Sequence, residues 1–197
     1  MNPGVTLLER SVTYALGAVG DVTPAALGSP TPCREWDLRA LLEHVAGSMD
    51  ALLEGLGAGC VGPSPPIAGR RPRDPVTAFR RRASGLLAAC ASAGGAEPPV
   101  IVGDRVLAAR FLTWVGAVEL AVHGWDVARA CGAERPIPAG LARNLLAIVP
   151  LVVTDRSRGG LFAPPCAARP DAPPAERLLA FLGRDAGEGP PGPVGGR

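Results

Sequence analysis

Apolar residues recur along this chain at helical spacing. Val5, Leu8, Val12, Leu16 and Val19 stand three or four positions apart and predict a first helix over residues 4–19. Pro24, Gly28, Pro30 and Pro32 then mark a loop through Cys33. Leu38, Leu41, Leu42, Val45, Met49, Leu52, Leu53 and Leu56 define a second helix. Asp37 is placed to accept from the free amides of its first turn, and Trp36 with Leu41 fits a hydrophobic staple. Asp74 and Pro75 suit the cap and first position of a third helix carrying Val76, Phe79, Ala83, Leu86, Leu87 and Cys90. Gly94 and Gly95 stop it. Val100 to Val102 reads as a short extended piece. A fourth helix is expected from about Val106 to Ala130, with Phe111, Trp114, Val115, Val118, Val122 and Trp125 as its apolar face and Gly132 as its stop. A fifth is expected over residues 138–155, kinked or broken near Pro150. Glu176 to Leu182 forms a short last helix, ended by Gly183.

This pattern predicts an all-α protein, a four-helix bundle with an additional short C-terminal helix. Residues 1–185 are expected to form a single domain. The Pro- and Gly-rich stretch 57–75 reads as a long mobile connection, and residues 186–197 as a disordered tail. No internal repeat is visible.

Composition changes this picture little. Aromatics make up 4% of the 197 residues, so Leu, Val and Ala must build the core. The net charge is +2, which gives no strong field, and all 20 basic residues are Arg. The densest basic run, Arg70, Arg71, Arg73 and Arg80 to Arg82, fits a solvated loop and helix start better than a nucleic-acid surface. The cysteines, Cys33, Cys60, Cys90, Cys131 and Cys166, are odd in number and widely spaced, which argues against a disulfide framework. No apolar run reaches membrane-spanning length, and Glu9 and Arg10 interrupt any signal-peptide pattern. These features lead to an expectation of a cytoplasmic protein, a monomer or homodimer acting on a small molecule without nucleic-acid or membrane partners.

The candidate chemistry lies in the two histidines. Glu119 and His123 are four residues apart, so they share one face of the fourth helix, while His44 lies at the edge of the second helix's apolar stripe. All three read as rim positions. Two imidazoles and a carboxylate suit Zn²⁺ or another first-row divalent ion, and three protein ligands leave a position open. The competing explanation is a helix-face contact plus a hydrogen-bonded packing histidine. Asp126, three residues after His123, fits either a partner that orients this ligand or, with more weight, an ion pair with Arg129. Arg129 fits a grip on a substrate carboxylate about as well as that buried pair. Cys33 reads as a small packing residue before the helix cap, with catalysis the minority reading.

Thr31 to Gly47 (TPCREWDLRALLEHVAG) and Glu119 to Gly132 (ELAVHGWDVARACG) resemble the two signature blocks of DinB-like metal-binding proteins. The similarity is greatest to the actinobacterial branch related to the N-terminal domain of mycothiol-dependent maleylpyruvate isomerase. Gly160 to Asp185 is similar to the closing block of that branch. The resemblance implies a DinB-like four-helix bundle whose metal ligands are His44, Glu119 and His123. It implies a divalent-metal enzyme, with zinc the expected metal and mycothiol a thiol cosubstrate. Such an enzyme would catalyse S-transfer or isomerisation of a small electrophile, including natural-product tailoring. The alternative is a metal- or ligand-binding bundle without turnover. The isomerase carries a second C-terminal domain, for which the sequence after this bundle supplies little more than a short helix.

Overall fold

In a computed structural model, residues 3–33, 36–62, 73–94, 98–154, 158 and 162–187 are described. Four helices form the bundle: α1 (Pro3–Val19), α2 (Leu38–Ala58), α3 (Pro75–Ser92) and α4 (Ala109–Ala130). Each touches two others, with α1 and α2 lying opposite one another between α3 and α4. Two further helices, α5 (Ala139–Val152) and α6 (Pro174–Phe181), pack together, and α5 lies against α4 and α1. The chain is largely helical, as its apolar period predicts. Most of the mobile connection expected within 57–75, and the end of the expected disordered tail, lie outside the described residues.

Side-chain caps set the helix starts. Asp37 accepts from the Ala40 amide at 2.8 Å, and Asp74 accepts from the Val76 and Thr77 amides at 3.0 and 3.1 Å. Pro75 follows in the first turn, where its missing N–H costs nothing. α2 ends at Gly59 in the left-handed conformation, with φ of 71°. Pro150 sits inside the last turns of α5, which continues only to Val152. Leu8, Val12, Leu41, Met49, Phe79 and Leu120 are among the residues that fill the common core.

The chain departs from an all-helical reading at one place. Three short strands, β1 (Cys60–Val61), β2 (Pro99–Val102) and β3 (Arg105–Ala108), form a small sheet in the order β1-β2-β3. β1 and β2 are parallel, and β2 and β3 form an antiparallel hairpin in which Val102 pairs with Arg105. The expected start of α4 at Val106 is therefore corrected to Ala109. Residues 105–108 satisfy their backbone groups across the hairpin before the helix begins. Gly103, with φ of 60°, makes the two-residue turn.

α4 is the most enclosed helix, with almost every residue from Gly116 to Ala128 buried. Gly124 lets α1 come close, since a Cβ there would stand 3.0 Å from Ala15 Cα. No described helix is long and apolar enough to cross a membrane.

Candidate metal centre

The capped start of α2 fixes one side of the site. Leu38 donates its amide to the Ser29 carbonyl at 2.9 Å, and Trp36 donates its amide to the Cys33 carbonyl at 2.9 Å. The buried Thr31 hydroxyl reaches the Trp36 carbonyl at 2.8 Å. This turn lays the Trp36 indole over His44, with ring centroids 4.3 Å apart. One helical turn along α2 from His44 comes Ser48. α4 presents Glu119 and His123, also one turn apart.

The faces of α2 and α4 meet at Glu119. Its Oε1 lies 2.6 Å from His44 Nε2 and 3.5 Å from His123 Nε2, and accepts from the Ser48 hydroxyl at 3.3 Å. The two imidazoles stand nearly perpendicular, 5.3 Å between centroids. One donor atom from each of His44, Glu119 and His123 falls within 4.8 Å of the others.

Behind His123 lies a second carboxylate. His123 Nδ1 is 2.9 Å from Asp126 Oδ2, so with Nδ1 protonated the ring donates to Asp126 and turns Nε2 toward Glu119. Arg184, just beyond α6, donates to both oxygens of Asp126, Nη2 at 2.9 Å and Nε at 3.4 Å. Its Nη1 donates to the Leu182 carbonyl at 2.9 Å. Asp126 and the Arg184 side chain are buried.

The electrostatics follow from these contacts. Burial would push the Glu119 carboxyl up, but His123 and the hydrogen bonds from His123 and His44 hold it well below the carboxylate range. Burial would lower His123, yet Glu119 and Asp126 raise it to about 9. Burial likewise opposes ionisation of Asp126, and Arg184 with His123 overcomes this and lowers it. With both imidazoles neutral, Glu119, Asp126 and Arg184 leave the cluster one net negative charge. That balance and the His₂Glu donor set fit a divalent cation.

A cavity of about 390 Å³ opens over the cluster. His44, Ser48, Glu119 and His123 supply its polar side, and Leu52, Leu112, Val115 and Phe162 part of its apolar side.

Sequence reasoning named His44, Glu119 and His123, and the structure brings them together. It takes all three for rim residues, whereas His123 is only 4% exposed because α4 has neighbours all round. The ion pair expected between Asp126 and Arg129 is corrected. Asp126 engages His123 and Arg184, while the Arg129 guanidinium lies 5.6 Å from the Trp125 ring centroid, and neither residue lines the cavity. Arg184 and Ser48 were missed. Ser48 follows His44 by four residues, a spacing that could have found it. Cys33 lies near Arg184. No disulfide joins any of the cysteines among the described residues.

The mycothiol maleylpyruvate isomerase N-terminal domain family matches residues 8–128, a span that holds His44, Glu119, His123 and Asp126. The chain belongs to this family. An uncharacterized protein of Mycobacterium tuberculosis, recorded in strains CDC 1551 and H37Rv, is 30% identical over 178 residues, covering 89% of this chain and 94% of its own. No solved structure matches the chain. The family segment ends before Arg184, so the residue that grips Asp126 comes from sequence beyond the shared mycothiol maleylpyruvate isomerase N-terminal domain.

Proposed function

We propose that the protein is a divalent-metal-dependent enzyme that uses a low-molecular-weight thiol, mycothiol being the expected one and zinc the expected metal. The thiol would be transferred to a small electrophilic substrate or would catalyse its isomerisation. The observation that carries this reading is the convergence of His44, Glu119 and His123 donor atoms at one side of a cavity. Membership of a mycothiol-related family supports the thiol.

A metal held by these three residues would supply a positive charge that lowers a thiol's pKa and favours the thiolate. The chain's own side chains prepare the place. Asp126 fixes the His123 tautomer, and Arg184 keeps Asp126 ionised. Ser48 holds one oxygen of Glu119, and Trp36 covers His44. The apolar walls exclude water, which leaves a thiolate sulfur less solvated and more reactive. In transfer, a carbon–sulfur bond forms as the leaving group departs with its bonding pair. In isomerisation, sulfur adds to a double bond, the resulting single bond rotates, and elimination returns the thiol.

Metal analysis tests the first half. The purified protein is expected to hold about one equivalent of metal, and His44→Ala or His123→Ala to lose it while retaining the helical circular dichroism. Stoichiometric metal in both variants would overturn the assignment. Cobalt substitution tests the second half, since mycothiol should then produce a sulfur-to-cobalt charge-transfer band. An unchanged spectrum at saturating thiol removes the thiol role.

A further inference from the structure

The cavity over the cluster is chemically lopsided. The polar side-chain groups of its lining belong to Trp36, His44, Ser48, Glu119 and His123, and its hydrocarbon walls include Leu52, Leu112, Val115, Val152, Val153 and Phe162. Among the described lining residues, His44, Glu119 and His123 are the sole ionisable groups. Arg184 is engaged on Asp126, and the Arg129 guanidinium lies over Trp125. A carboxylate pressed against these walls would lose its water and meet no donor there, which is strongly unfavourable. A hydrocarbon group would instead gain by burying its surface against Leu, Val and Phe. The volume, about 390 Å³, is near the lower end of the ~300–1,000 Å³ usual for ligand pockets, so the occupant is a single ring or a short chain. Val115, 48% exposed although apolar, stands where such a ligand would cover it.

We infer that the substrate held in this cavity is a neutral, largely hydrocarbon electrophile and not a carboxylic acid. The inference rests on the metal–thiol reading for the substrate's reactivity; the preference of the walls stands without it. Arg129 has no part in gripping such a substrate.

Heptanethiol and mercaptohexanoate test it. They match in length and in the sulfur that would face the candidate ligating residues, and differ in a terminal ethyl against a carboxylate. Calorimetric titration of the metal-loaded protein should give at least tenfold tighter binding for heptanethiol. In Val115→Arg, which puts a cation in the wall, that ratio should shrink or reverse. Equal or tighter binding of the carboxylate, no binding of heptanethiol, or a ratio unmoved in Val115→Arg would each overturn the inference. Heptanol and 6-hydroxyhexanoate, the oxygen analogues, titrated into protein stripped of metal, separate this result from the metal reading. Preference for heptanol in a protein that never holds metal would leave the walls as inferred and remove the proposed chemistry. Loss of that preference in a protein that does hold metal removes the inference alone.

Discussion

Arg184 ends a run of contacts that passes through Asp126 and His123 to Glu119. Removing its guanidinium leaves a buried carboxylate without its counter-charge, a change that typically costs about 3–5 kcal/mol. Arg184→Ala should therefore lower the thermal midpoint, and should also weaken zinc binding about 10–100-fold, as loss of a ligand-orienting partner usually does. Arg184→Lys should restore part of both, read by chelator competition and calorimetry. Proton release offers a second measurement. Without metal, burial lowers the His123 pKa, but Glu119 and Asp126 raise it from 6.5 to about 9. Its folded value is thus above its unfolded one. The stabilisation it brings is complete below 6.5 and fades as pH climbs through about 9. At neutral pH the ring holds its proton, and a metal bound there would have to displace it. Zinc uptake measured in buffers of different ionisation heat should show that release; heats independent of the buffer would contradict it. At this scale the candidate trio was legible, because histidine is scarce here, Glu119 and His123 have a spacing that forces a shared face, and the two family-like blocks hold all three. The Arg184 partnership was not, because 58 residues separate it from Asp126 and helical period says nothing about where the chain returns.

Among the elements, α1 packs closely on α4, the helix that carries Glu119 and His123. Gly124 is a point of close approach, with Tyr14 ring atoms 3.1 Å and Ala15 Cα 3.0 Å from where a Cβ would stand. Gly124→Ala should push α1 away and cost about 1–3 kcal/mol, the usual range for overpacking. Because His123 is the preceding residue, zinc affinity should fall as well. A variant with unchanged thermal midpoint would show that α1 gives way without strain. The β2–β3 hairpin illustrates what helical periodicity hides. Val106 to Ala108 continue an apolar run that merges into α4, yet Gly103 and Asp104 between extended, β-branched stretches carry the two-residue hairpin signature. That local turn chemistry decides residues 105–108, and the start of α4 was misjudged; the pairing of β1 with β2, inside the expected connection 57–75, was likewise not legible.

In the whole molecule, α4 lies among α1, α2 and α5, and this enclosure explains why its polar residues are functional candidates. A buried His–Glu–Asp–Arg set is expensive unless its members satisfy one another, and here they do. The bundle itself was legible from four apolar stripes. The position of the C-terminal segment was not, since α6 is short and its docking depends on contacts with residues distant in sequence. Arg158 illustrates those contacts, donating to the Ala163 and Phe181 carbonyls at 3.1 and 2.9 Å.

The grip of Arg184 on Asp126 also runs in reverse. Whatever steadies His123 steadies Asp126, and whatever steadies Asp126 anchors the last helix and the residues after it. Filling the centre with zinc should therefore slow protease cutting within residues 162–187, and stripping it with a chelator should hasten cutting there before the bundle is touched. Mass spectrometry of the early fragments would read this difference. The end of the chain would then serve as a gauge of whether its distant interior is loaded.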